Sequence, residues 1–362
     1  YFGFGKITTY VGNTQQTDVS FQVKDPNGNI VTGFAMAPVP LSGNGSIPAG
    51  ATGYNQALAG PNISGTVPAG YTPLVLDPAL QGDYYIEFSF PNLEDQRQFE
   101  TFDITVANGT TPINGRLWSK AWQLSSNSTS AGTNGKTYSK FYVYSNDSIV
   151  TQFDCNGLAG GVFAVYCNPY GASNTGIWED DRMSIQGNGS VIPEYKLFLN
   201  DPDPAVYGSG SFGQVCDLSS SSHCDGSVDI LVKVNKPGSI QFVIDVDPEG
   251  PGGEDVTINA PVTGEAGCNV WDTIPWNGLN GFGNPVLNGA TIKLDIAYLN
   301  GLTNLPLYDI EDNTFGIKVD IIRPLPPGSN KLPLYWDDSN ITSVNPANLT
   351  GCIYPSGGVV TG

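Results

Sequence analysis

Apolar and polar positions alternate with a period of two through much of this chain. Residues 228–234 read VDILVKV and residues 240–246 read IQFVIDV. Successive side chains of a strand point to opposite faces, so this pattern predicts half-buried β-strands. The same reading predicts strands at 6–11, 19–23, 84–90, 99–106, 116–124, 136–144, 149–153, 161–166, 195–199, 255–258 and 316–322. Residues 276–309 are the most informative stretch. A Gly/Asn turn cluster leads into a strand in which Ile292, Leu294, Ile296 and Tyr298 alternate with other residues. That stretch carries no nucleophile, histidine or clustered metal ligand, which is how a sandwich wall reads.

Turn chemistry punctuates the strands. Asn27-Gly28, inside the DPNGN sequence of residues 25–29, predicts a type I′ hairpin with φ > 0 at both central residues. Residues 145–148 predict a second hairpin turn. Residues 35–70 are rich in Gly, Pro, Ala and Ser without periodicity, and are too long for a plain loop. They read as an ordered insertion or a mobile surface segment.

The elements divide into an all-β chain of tandem Ig-like sandwiches. The expected units are an N-terminal sandwich at 1–112 with its insertion at 35–70, a second at 113–235, an Ig-like third at 236–327, and a C-terminal tail at 328–362 that packs back in part. Composition agrees with many short strands and turns. Gly (45) and Pro (27) are abundant, aromatic residues make up 11%, and charged residues only 14%, well below the usual ~25%. Long amphipathic helices need a charged face, so few are expected.

Charge narrows the partners. Fifteen basic against 34 acidic residues give a net charge of −19. Phosphate neutralisation needs clustered Lys and Arg, so nucleic acid is excluded as a partner, and anionic membrane surfaces are disfavoured. No apolar run reaches the ~18 residues needed to span a bilayer, so membrane insertion is not expected. The N-terminus lacks the regions of a signal peptide and reads as the start of a mature or excised chain. Eight N-x-S/T sequons are a mild excess over chance and decide little.

Cys155, Cys167, Cys216, Cys224, Cys268 and Cys352 form an even set without C-x-x-C pairs. A single histidine, His223, cannot supply a His-containing zinc cluster, so up to three disulfides in an oxidising compartment are expected. Of fifteen connectivities, sequence proximity favours Cys155–Cys167 and Cys216–Cys224, leaving Cys268–Cys352.

Each candidate for chemistry has a plainer reading. Residues 208–213 spell G-x-G-x-x-G, but a Ser-rich loop follows where a dinucleotide site needs a helix. His223 sits between Ser222 and Cys224 without a G-x-S-x-G motif, so a catalytic triad is not expected. Trp178-Glu179-Asp180-Asp181 offers carboxylates beside an aromatic platform, and Trp178 is a candidate glycan contact. Acids beside Arg182 more often anchor a loop. Asp245, Asp247, Glu249, Glu254 and Asp255 crowd one Gly-rich turn and are a candidate calcium site, though the spacing is not that of an EF-hand. The plainer reading is a solvated hairpin turn. No other cofactor is expected, and Trp118, Trp122, Trp271, Trp276 and Trp336 read as packing residues.

Several long motifs carry a resemblance. GRLWSKAWQL (115–124), KFYVYSNDSIVTQFDCNG (140–157), PEYKLFLNDPDPAVYGSG (193–210), IPWNGLNGFGNPV (274–286), YLNGLTNLPLYDIEDN (298–313) and LYWDDSNI (334–341) resemble the N-terminal region of large surface proteins of gliding bacteria. Those proteins leave by the type IX secretion system and often carry a gliding-motility-associated C-terminal domain. WNGLNGFGNPVLNGATI also resembles the Ig-like domain of flagellar hook-capping proteins, which has Asp where Asn277 and Asn280 stand here. The resemblance implies a secreted, extracellular or cell-surface β-sandwich protein in adhesion, gliding or surface architecture, and brings no catalytic residues. A non-enzymatic structural protein is therefore expected, with copies of itself or other surface proteins as partners. Self-assembly into a filament by strand exchange would use Tyr1, Phe2, Phe4, Ile7, Tyr10 and Val11, against the plainer reading of a first strand in its own sandwich. The alternative is a carbohydrate-binding surface module with glycan partners.

Overall fold

The computed structural model describes residues 1–326 apart from 10–11, 66, 93–95, 127–135, 160, 176, 182, 184, 186–191, 248–253, 302 and 306–316. The side chains of residues 125–126, 136–137, 158–159, 161–163 and 178–179 also lie outside the description. The described chain is all-β, built almost wholly from antiparallel strands, in two compact units, Tyr1–Leu117 and Trp118–Gly362.

The first unit runs β1 (Phe2–Phe4), β2 (Ile7–Thr9), β3 (Ser20–Lys24), β4 (Ala37–Pro38), α1 (Gly50–Ala59), β5 (Tyr85–Ser89), β6 (Arg97–Phe99), β7 (Phe102–Ile104), β8 (Val106–Asn108) and β9 (Thr111–Ile113). Alternation in β3 sends Phe21 and Val23 inward, where they meet Phe2, Phe4, Ile7, Val19 and Val39 in one core. Phe2 and Phe4 sit among the rings of Phe21, Phe34, Phe88 and Phe99 at centroid spacings of 5.2–5.9 Å. The segment at 35–70 is ordered. It contributes α1 and buries Val39, Ile47 and Ile63, because its scattered apolar side chains find the sandwich edge.

The turn after β3 corrects one expectation. Gly28 has φ 83°, but Asn27 is not in the left-handed region, so the turn is not type I′. Asp25 organises it instead: its carboxylate accepts the N–H groups of Asn27 and Asn29, an Asx turn that competes with the type I′ geometry.

The second unit begins with β10 (Trp118–Ser119), β11 (Ala121–Ser126), β12 (Lys136–Thr137), β13 (Lys140–Tyr144), β14 (Val150–Asp154), β15 (Leu158–Ala159), β16 (Gly161–Tyr166), α2 (Trp178–Asp181) and β17 (Lys196–Phe198). It continues through β18 (Val215–Ser222), β19 (Val228–Val234), β20 (Gly238–Asp245), β21 (Val256–Val262), β22 (Asp272–Trp276), β23 (Lys293–Leu299) and β24 (Lys318–Arg323).

Two cores lie in this unit. The first gathers Phe141, Val143, Phe153, Val165, Leu197, Ile317 and Val319 between the β10-β17-β13-β14-β24 sheet and the β11-β16 pair. The second gathers Ile230, Val232, Val234, Ile240, Phe242, Ile244, Ile274 and Trp276 between the β18-β19-β22 and β21-β20-β23 sheets. The second sandwich is nested in the first: the chain leaves after β17, builds β18 to β23, and returns as β24 beside β14, with Phe153 opposite Val319. A boundary at 235 therefore cuts through the second core, and a unit of 236–327 takes β24 away from the first sheet. Val234 packs in the same core as Ile240, and residues 318–322 pair in the first sheet rather than in the third expected unit.

The Ser-rich segment expected as a loop is strand β18, paired with β19 from Asp217 opposite Lys233 to Ser222 opposite Val228. The ladder, not side-chain burial, holds it there, which is why no apolar alternation marks it. β23 bears out the alternation in part: Leu294, Ile296 and Tyr298 stand opposite Ile244, Phe242 and Ile240, but Ile292 lies before the strand and both it and Ile296 are exposed.

Candidate functional site

In the second unit a cluster of polar contacts forms a seam where the chain passes between its two cores. Residues 208–213 leave the first sandwich against the β13–β14 turn, and Gly210 donates to Ser148 O at 2.8 Å. A Cβ on Gly210 would fall 1.9 Å from Asp147 O, and one on Gly213 2.5 Å from the Tyr298 ring. Close backbone approach therefore explains these glycines, and the G-x-G-x-x-G letters mark packing rather than a nucleotide loop.

Side chains then lock the seam. Gly213 N–H donates to Asn300 Oδ1 at 2.9 Å, Asn300 Nδ2 reaches Asp147 Oδ2 at 3.5 Å, and Lys236 Nζ donates to Ser211 O at 2.6 Å. Lys236 Nζ also lies 3.9 Å from Asp147 Oδ1. The Tyr298 hydroxyl donates to Lys236 O, and burial, followed by the charge of Asp147, pushes its phenol up to about 12. A phenol so held is a structural donor at neutral pH, not an acid–base group.

The seam continues on the return path. Asn168 and Asn304 exchange backbone hydrogen bonds at 3.2 and 2.8 Å. The buried Asn168 side chain donates to Gly171 O and Ile192 O and accepts from the N–H groups of Tyr170 and Gly171. Such a satisfied buried amide fixes loop geometry. Sequence reading missed it, since one Asn before Pro carries no periodic signal.

The cysteines correct the proximity pairing. Cys216 bonds to Cys268, 52 residues away, with Cα atoms 6.3 Å apart. Strand β18 carries Cys216 away from the hairpin tip, so the exposed Cys224 is left as a thiol, and Cys268 is not available to Cys352, which lies outside the described residues. Cys155 and Cys167 are buried thiols in the first core, not a disulfide. Burial, then the Asp154 charge, pushes Cys155 up to about 12, and burial raises Cys167 as well, so neither is a thiolate nucleophile.

Residues 248–253 of the acidic turn lie outside the described residues, and two of the acids flanking it make hydrogen bonds. Asp245 Oδ1 accepts Asp247 N–H at 3.1 Å, and Glu254 Oε2 accepts from Asn280 Nδ2 at 3.1 Å. Asp255 starts the approach to β21, and Glu249 lies outside the described residues. Among the described residues no three His, Cys, Asp or Glu side chains converge as a metal site. Asp181 anchors its loop, accepting from Thr175 N and Oγ1 at 2.6 and 2.9 Å. The Trp178 and Glu179 side chains lie outside the description, as do Arg182 and Trp336.

His223 closes β18 and meets Asp229 Oδ2 at 2.9 Å on an exposed face. Trp122 packs on the first core with its Nε1 on Leu197 O, and Trp276 is buried with its Nε1 on Leu279 O. Trp118 and Trp271 instead carry Lys196 and Lys233 over their rings at 4.3 and 4.4 Å, and Trp271 remains 39% exposed, less a packing residue than expected. Of the N-terminal assembly candidates, Phe2, Phe4 and Ile7 are buried within their own unit, with β1 on β7 and β2 on β6. Tyr1 donates its terminal ammonium to Thr105 O, while Tyr10 and Val11 lie outside the described residues.

Among the described residues no helix is long and apolar enough to cross a membrane. No family model, curated protein or solved structure matches this chain.

Proposed function

We propose that this chain is a secreted or cell-surface structural protein serving adhesion, gliding or surface architecture, and not an enzyme. The observation that carries the reading is the nested pair of sandwiches in the second unit. The polar residues of its seam, Asp147, Lys236, Asn300 and Asn168, bind the chain to itself. Asp181 and Glu254, the acids placed nearest to chemistry by sequence, are likewise turn and loop anchors. The Cys216–Cys268 disulfide suits an oxidising compartment outside the cytosol. Resemblance to surface proteins of type IX-secreting gliding bacteria points the same way, and tandem Ig-like organisation belongs to that proposal.

Assembly into a filament or coat is part of the reading, through strand edges that accept a neighbour. Exchange of residues 1–11 would form the β1–β7 and β2–β6 pairs between chains rather than within one. Electron micrographs of purified material, with and without residues 1–11, test this. Filaments that vanish on deletion support exchange, and filaments that persist unchanged rule that segment out.

A further inference from the structure

β18 is an edge strand without the usual protection. All eight of its residues are exposed, and among the described residues only β19 pairs with it. Edge strands are commonly blunted by Lys, Pro or dense charge. β18, VCDLSSSS, has one charged residue in eight, in a chain of net charge −19.

The direction of its outer backbone groups follows from the hairpin. His223 N–H donates to Ser227 O at 2.9 Å, and Asn235 N–H donates to Gln214 O at 3.1 Å beyond the bulge. Backbone polar groups alternate sides along a strand, so Asp217, Ser219 and Ser221 face β19, whereas Leu218, Ser220 and Ser222 turn theirs outward. Among the described residues, Leu218 N–H accordingly finds only the adjacent Asp217 Oδ1, at 3.0 Å. Ser220 is opposite the buried Ile230, so the outward-bonding residues also point their side chains to the core side of the sheet. There Leu218 is 40% exposed, and on the facing sheet's edge strand Ile296 is 36% exposed.

We propose that this edge pairs antiparallel with β18 of a second copy of the chain, about a twofold axis through Ser220. In that register Ser220 faces Ser220 and Leu218 faces Ser222, joining outward-bonding residues through about six backbone hydrogen bonds. The same register sets Asp217 of each copy beside His223 of the other, on the face where His223 already meets Asp229. Asp217 then releases Leu218 N–H to the neighbouring carbonyl. A carboxylate acceptor and an imidazole thus meet twice at an otherwise neutral edge, and the contact is isologous and closed. The inference goes beyond the surface-scaffold reading and does not rest on it.

Sedimentation velocity of the full chain over two decades of concentration should show a reversible monomer–dimer equilibrium. Ser220→Pro removes an outward N–H on each copy without touching the β19 ladder, and should weaken the dimer about a hundredfold with thermal unfolding unchanged. Ser220→Cys in a Cys224→Ser background tests the axis even if the proline variant fails to fold. Mild oxidation should give a cross-link mapped by mass spectrometry to residue 220 on both copies, and Ser222→Cys should give none. A monomer throughout, an equally tight dimer in Ser220→Pro, or a cross-link that avoids residue 220 would overturn the proposal. So would slow amide exchange at Leu218, Ser220 and Ser222 in the monomer, which would mean that another part of the same chain covers the edge.

Discussion

Gly213 gives its backbone N–H to the side-chain oxygen of Asn300 at 2.9 Å, tying the segment that enters the nested sandwich before β18 to the one that leaves it after β23. Eighty-seven residues separate the two.

The crossing requires glycine at position 210. Gly210→Ala forces a Cβ to 1.9 Å from Asp147 O, a backbone atom that cannot move aside alone. A loss of roughly 1–3 kcal/mol in urea unfolding is expected. Gly208→Ala meets nothing within 4 Å and should change stability little. Equal effects for the two would contradict the packing assigned here.

Asn168 satisfies four hydrogen bonds inside the second unit. Asn168→Ala removes the partner of the buried N–H and carbonyl of Gly171 and of the part-buried Tyr170 N–H and Ile192 carbonyl, and should cost roughly 1–3 kcal/mol. Chemical denaturation followed by tryptophan fluorescence measures it.

The disulfide joins residues 52 apart, and in the chain-entropy view closing a loop of that length is worth about 4 kcal/mol. Cys216→Ser and Cys268→Ser should lose a similar amount, whereas Cys224→Ser should be silent. Non-reducing peptide mapping should recover Cys216 linked to Cys268. A Cys216–Cys224 peptide would reverse the assignment.

Tyr298 and Cys155 bind their protons more tightly in the folded chain than in the unfolded one, each pushed up to about 12. The unfolded groups titrate near pH ~10 and ~8.5. Their contribution is therefore complete below those values and is lost as pH rises towards about 12. Urea midpoints should fall through this alkaline window, and Tyr298→Phe should reduce the slope of the fall.

Local pattern carried much of the fold but not its nesting. Alternation in residues 228–234 and 240–246 marks β19 and β20 because each buries one face. β18 has no apolar face to alternate, and its serines read as a loop until the ladder to β19 is seen. β24 alternates correctly, yet nothing in residues 318–323 says that their partner is β14 rather than the nearer strands. The disulfide failed for the same reason: proximity in sequence favoured Cys224, while a strand and the turn at 264–271 bring Cys268 to Cys216. Of the candidate chemistry, residue types were legible and geometry was not. Asp181 anchors its loop, the plainer of its two readings, and Glu254, a candidate calcium ligand, accepts from Asn280.

Immunogold labelling of intact cells of the source organism, with antibodies against the purified chain, tests the structural surface role most directly. Label is expected on the cell exterior, along filaments or a coat that the same antibodies decorate after isolation. Label confined to the cytoplasm, appearing only when cells are opened, would contradict it.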